Sequence, residues 1–158
     1  MLHIPGKFIT ILQVEKEATE PVYRFLKAQH FRNVFIEPEE KEMEYYIYEN
    51  ETAIIVQPLV SKSPTQSVKQ IATTTLEKLI VDLYCDEKLF AAFQGSEFVH
   101  IINNAYKRYS INFTKLFHYA KRRRKEIQLA NYFSNRTDIP NGILNDLATQ
   151  QTSKISLT

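Results

Sequence analysis

The sequence predicts an α/β (α+β) fold: an N-terminal mixed sheet of four or five strands with one crossover helix, then a C-terminal helical half. Three observations predict it. Short runs rich in β-branched and aromatic residues occupy the chain as far as about residue 71. From Thr74 onward, apolar residues recur at helical spacing instead. A largely polar stretch between Ser61 and Thr73 separates the two regimes. With 158 residues the chain can bury one real core. A single domain over 1–135 is therefore expected, with its sheet part at 7–71, its helical part at 74–134 and a polar tail at 136–158.

Phe8-Ile9-Thr10-Ile11-Leu12-Gln13-Val14 reads as the first strand. Thr19 stands where it can cap a helix whose first turn carries Glu20 and Pro21, and Val22, Phe25 and Leu26 form its apolar stripe. Phe31 to Ile36 reads as the second strand, closed by Glu37-Pro38. That order suits a crossover with parallel pairing. Glu44 to Glu49 and Ala53 to Leu59 read as a hairpin joined through Asn50-Glu51-Thr52, with Pro58 marking an edge or a strand end. Val68 to Ile71 is a candidate short strand.

In the helical half, Thr74 followed by Glu77 fits a capping box. Leu76, Leu79, Ile80, Leu83 and Tyr84 then share a face. Lys88 to Phe93 suggests a helical turn before Gly95. Ser96 is placed to cap the next helix, on which Phe98, Ile101, Ile102 and Ala105 point inward. After a break at Tyr109 to Asn112, one long helix is expected over Phe113 to Phe133, with Phe113, Leu116, Ala120, Ile127 and Ala130 on its apolar side. Ile139-Pro140-Asn141-Gly142 is a turn, followed by a short helix at 143–148 and a frayed end.

The formal net charge of +2 conceals a polarity. Residues 1–100 carry ten Lys/Arg against fifteen Asp/Glu, whereas residues 101–158 carry ten against three. That bias suggests a polyanion or an acidic protein at the C-terminal helices, or two halves that complement one another on folding. The single cysteine, Cys85, excludes an intramolecular disulfide and a multi-cysteine metal site, reads as a packed thiol, and fits a reducing, cytoplasmic setting. No apolar run approaches the length of a membrane span, and no signal-peptide core is present.

The run Lys121-Arg122-Arg123-Arg124-Lys125 is the strongest functional candidate. At about 100° per residue, five consecutive cations cannot share one helix face. Arg123 falls beside the apolar stripe and is expected to be partly buried in a structural ion pair with Asp82 or Glu77. Lys121, Arg122 and Lys125, together with Lys107, Arg108 and Lys115, are the candidate contacts to phosphates or to an acidic partner. Asp86 lies four residues after Asp82, a spacing that repels unless a cation sits between the two. His3, His30, His100 and His118 are scattered and match no metal-ligand motif. No phosphate-cradling glycine loop and no nucleophile elbow occurs, so no catalytic, cofactor-binding or metal residue is assigned.

Several segments together resemble the C-terminal region of AbiEi-type antitoxins, transcriptional regulators of type IV toxin-antitoxin (abortive-infection) systems. They are His3-Ile4-Pro5-Gly6-Lys7-Phe8, Val14 to Glu20, Thr75 to Asp82, Gln94-Gly95-Ser96-Glu97 and Tyr119-Ala120-Lys121-Arg122-Arg123. The resemblance spans about residues 3–130. It implies a nucleotidyltransferase-like toxin as partner, and a winged-helix domain ahead of this region that the present chain does not contain. It also implies, for some relatives, a restriction-endonuclease-like fold. Here the pair 44–60 offers Glu49, Glu51 and Gln57 but no Glu-x-Lys, so a working nuclease is not expected. The expectation is a non-enzymatic antitoxin-like or regulatory domain that contacts protein or nucleic acid, DNA or RNA, through its basic helices. A plain nucleic-acid-binding module and a degenerate endonuclease-like domain are the alternatives.

Overall fold

The computed structural model describes residues 8–47 and 49–144. The fold is mixed α/β, strands first and helices after, in two compact units that divide between Ser61 and Lys62.

The first unit is built on a parallel sheet. Strands β1 (Phe8–Val14), β2 (Val34–Ile36) and β3 (Thr52–Pro58) are ordered β1-β3-β2, with Phe8 opposite Thr52 and Val34 opposite Ile54. Helix α1 (Thr19–Ala28) carries the chain from β1 to β2, the kind of crossover that parallel strands require. The central strand shows why it is central. Ala53-Ile54-Ile55-Val56 is continuously apolar, and Ile55 and Val56, on opposite faces, are both fully buried.

Four expectations are corrected in this unit. Thr19 does not cap α1: it lies inside the helix, after a 3₁₀ turn at Lys16–Ala18, and its hydroxyl donates to the Glu15 carbonyl. The second strand begins at Val34 rather than Phe31. His30 takes the left-handed conformation (φ 61°) after α1, and the Phe31 and His30 amides close back onto the Leu26 and Lys27 carbonyls. Asn33 is also left-handed.

The third correction is the segment 44–47, which is helical rather than a strand. Glu39 and Glu42 form a reciprocal capping box that starts helix α2 (Glu40–Glu42), and a π-helical turn continues it over Met43–Ile47. Met43 and Ile47, four residues apart, are the buried pair, while Tyr45 and Tyr46 face outward. The alternation of apolar and polar residues there also satisfies a helical i, i+4 repeat. The fourth follows from it: among the described residues no strand at 44–47 pairs with β3 as a hairpin, residue 48 of that expected strand lies outside the described residues, and β3 inserts between β1 and β2 as the middle strand.

The second unit opens with an antiparallel hairpin, β4 (Thr65–Val68) and β5 (Ile71–Thr74). The expected strand 68–71 is instead its tip. Lys69 and Gln70 both have positive φ, as a two-residue turn of the primed type demands. Among the described residues, five strands thus form two separate sheets, three parallel and two antiparallel, rather than one mixed sheet.

Four helices follow: α3 (Leu76–Cys85), α4 (Ser96–Arg108), α5 (Phe113–Arg122) and α6 (Glu126–Arg136). The cap of α3 is Thr75, one residue later than expected, with its hydroxyl accepting from the Lys78 amide. Gly95 (φ 64°), not Ser96, precedes α4. Ile80, Leu83, Phe98, Ile102, Leu116, Leu129 and Phe133 make the core, and Phe117 and Phe133 meet edge to face at 6.0 Å. The expected long helix 113–133 is broken at Arg123–Lys125, which resets the register and leaves Ile127 72 % exposed instead of inward. Residues 141–144 are helical; the rest of the expected 143–148 helix lies outside the described residues.

Candidate nucleic-acid interface

The helical unit buries charge. Lys78 and Asp82, one turn apart on α3, are 1 % and 5 % exposed and form an ion pair. Asp82 accepts two further hydrogen bonds on Oδ1, from the Tyr119 hydroxyl at 2.8 Å and from Arg123 Nη1 at 2.8 Å. Arg123 Nη2 reaches Asp86 Oδ1 at 2.6 Å. Lys78 Nζ also stands 5.6 Å from the centre of the Tyr119 ring. Two cations face two carboxylates, so the cluster is neutral in sum. Neutrality and pairing are what permit charge to be buried at all.

Spacing on two helices assembles this cluster. Lys78, Asp82 and Asp86 recur every four residues along one side of α3 and its C-cap, and Tyr119 and Arg123 are four apart along and just beyond α5. Arg123 is the cation that separates Asp82 from Asp86. Burial, then the Asp82 charge, raises the Tyr119 hydroxyl, which keeps it a donor. Burial pulls the Arg123 guanidinium down, but its hydrogen bond to Asp86 and the Asp86 charge outweigh that and raise it. Cys85, half-buried beside the cluster, is pushed up to about 11 by desolvation, against the lowering effect of Arg123.

Glu77 is placed elsewhere. Its Oε1 accepts from the Asn112 amide at 3.0 Å, while the Asn112 side chain caps α5 by accepting from Lys115 N at 2.9 Å. Burial raises the Glu77 pKa; hydrogen bonds, that from Asn112 foremost, with the Lys115 charge, more than offset it and leave the group lowered. Glu77 thus fixes the start of α5 and is not a partner of Arg123.

The C-terminus of α5 turns the chain through a Schellman motif. Lys125 N bonds to Ala120 O and Arg124 N to Lys121 O, with Arg124 left-handed at φ 56°. Five consecutive cations on one continuous helix would set Lys121 against Arg124 and Lys125 at repulsive spacing. The break relieves that and turns Arg123 toward α3. The run is thereby sorted: Arg123 is largely inside, and Lys121, Arg122, Arg124 and Lys125 are exposed.

The outward face of α5 carries Thr114, Lys115, His118, Lys121 and Arg122, within an arc of about 120° at 100° per residue. Lys107 and Arg108 occupy the last turn of α4, both exposed, and Lys107 pairs with Asp138 at 2.9 Å. Lys115, Lys121, Arg122 and Lys125 are therefore gathered on α5 and its corner, while Lys107 and Arg108 belong to another helix. Sequence reasoning missed Lys78 and Tyr119. The Lys78-Asp82-Asp86 spacing was the available signal, although a lysine ahead of an aspartate on a helix ordinarily marks solvent. Among the described residues, no three of His, Cys, Asp and Glu stand together as a metal site would need. Glu49 and Glu51 are exposed in the segment before β3.

The model of a protein family described as "Family of unknown function (DUF6577)" matches residues 1–139, so the chain belongs to that family. No curated protein and no solved structure matches the chain significantly.

Proposed function

We propose that this chain, as a member of that family, is a non-enzymatic regulatory domain whose helical unit binds nucleic acid through the exposed cations of α5 and the α5–α6 corner. One observation carries the reading. Within the run of five cations, Arg123 is turned into an internal ion cluster while Lys121, Arg124 and Lys125 are exposed to solvent, close to Lys115 and His118 of α5. A protein that only needed to be soluble would be expected to mix signs on such a face. The outward face of α5 contains no carboxylate, and such a surface suits a polyanion. The test is binding of short duplex DNA and of RNA across a salt titration. Affinity that falls steeply and linearly in log salt supports the reading, and no binding to either at low salt sinks it.

A second reading is antitoxin-like contact with a protein, of which a nucleotidyltransferase-like toxin is the kind that the AbiEi resemblance suggests. The observation favouring it is aromatic exposure in the first unit, where Phe8, Phe25, Phe31, Tyr45 and Tyr46 are all at least half exposed. Co-purification of the chain with such an enzyme, lost on Phe25→Ser with Tyr45→Ser, would support it. Its persistence in that variant would count against this surface.

A further inference from the structure

The two helices that meet at Arg124 present outward faces of opposite chemistry. That of α5 is cationic, as above. That of α6 holds Ile127, Gln128, Asn131, Ser134 and Asn135, an arc of about 120° without a single charge. Solvent-facing helix surfaces are ordinarily charged. Here charge stops at the ends: Arg124, Lys125 and the half-buried Glu126 precede the face, and Arg136 follows it.

Among the described residues, the side chains of Gln128 and Asn131 make no hydrogen bond, and Ile127 is 72 % exposed. Toward the C-terminal end the polar groups turn to local partners. Asn135 Nδ2 donates to the Asn131 carbonyl, and the Ser134 hydroxyl to Asn141 Oδ1. The free amides therefore sit at the third and sixth of the eleven residues of α6, Gln128 nearer the cations and Asn131 at the middle of the helix.

We infer that α6 enters the major groove of duplex DNA and reads base edges through Gln128 and Asn131, while α5 and the corner hold the phosphates. The inference rests on the nucleic-acid reading above. Phosphate contacts position a protein and base contacts specify the site, and the two helices divide these tasks. Gln and Asn pair in bidentate fashion with adenine N6 and N7, and an exposed aliphatic side chain such as Ile127 suits a thymine methyl. Two helices joined by a three-residue turn, the second offering its N-terminal residues, is the helix-turn-helix mode of docking. Rigidity is built in: Phe117 on α5 packs on Phe133 of α6, and Arg123 is tied to α3. Duplex RNA fits less well, because its major groove is too narrow for side chains to read.

The experiment is selection from a pool of random DNA duplexes by the full chain, by Gln128→Ala/Asn131→Ala, and by Lys121→Ser/Lys125→Ser. The wild type should enrich an adenine-containing motif. The amide variant, altered only at exposed positions and expected to melt like the wild type, should keep its salt slope on random DNA while losing about 30-fold or more in preference for the motif, as two base contacts at about 5-fold or more each are removed. The lysine variant should bind every sequence more weakly. Steep, salt-dependent binding without enrichment overturns the base reading and leaves the nucleic-acid reading standing. So does enrichment unchanged in the amide variant, or a preference for folded RNA. Absence of binding to any nucleic acid overturns both.

Discussion

Arg123 Nη1 lies 2.8 Å from Asp82 Oδ1, joining α5 to α3 across 41 residues of sequence, and the same guanidinium holds Asp86. Removing it by Arg123→Ala leaves Asp82 with the Lys78 ammonium and the Tyr119 hydroxyl, but strips Asp86 of its ion pair. Losing one partner of a buried pair costs roughly 3–5 kcal/mol. The lower end of that range is expected here, because Asp82 keeps two donors and Asp86 is partly exposed. Chemical denaturation of the two proteins measures it, and equal midpoints would contradict a structural role for Arg123.

Arg124 should tolerate glycine better than arginine as far as folding is concerned. A left-handed conformation costs an L-residue about 1–2 kcal/mol, and glycine adopts it without that penalty but loses more backbone entropy. Arg124→Gly is therefore expected to raise stability by up to about 1 kcal/mol, while weakening binding to DNA because a corner cation is lost. A thermal melt together with a binding titration reads both. A fall in melting temperature would mean that the corner is not left-handed.

How far the sequence discloses this molecule depends on the interaction concerned. Patterns that repeat within one element are readable: Phe8–Val14 as a strand, the apolar face of α4, and the break before Asn112. Segments where two periods coincide mislead. Met43 and Ile47 satisfy a helical repeat as well as an alternating one, and only the capping pair Glu39 and Glu42 favours the helix. The break at Arg124 carries no glycine or proline to announce it; it follows from charge repulsion and from the pull of Asp82 and Asp86 on Arg123. In the candidate site, the separation of Arg123 from its neighbours could be anticipated from its place beside the apolar stripe. The burial of Lys78 could not, because it depends on where Tyr119, 41 residues later, comes to rest.

Glu77 supplies the pH dependence. Its folded-state pKa lies below the ordinary value of 4.5, so the stability it contributes is fully present above that value and is lost as pH falls through the folded pKa. The wild type should exceed Glu77→Gln by a constant margin above about pH 5.5, since ordinary glutamates are ionised there. The margin should shrink below about pH 4.5 as the carboxylate protonates. Denaturant unfolding at a series of pH values tests this, and a margin that grew on acidification would have the wrong sign.

Salt dependence separates the exposed cations from the buried ones. Lys121 and Lys125 are solvent-exposed, and each surface charge contributes only about 0–1 kcal/mol to stability. Lys121→Ser/Lys125→Ser should therefore melt close to the wild type. If both lysines neutralise phosphates of duplex DNA, removing them releases two fewer counterions, and the slope of log affinity against log salt should flatten by about 1.8. Arg123→Ala should change that slope little once folding is accounted for, since its guanidinium is already committed to Asp82 and Asp86. Titration at four or five salt concentrations distinguishes the two variants. An unchanged slope in the lysine variant, or a flattened one in Arg123→Ala at a temperature where it is folded, would place the contact surface elsewhere.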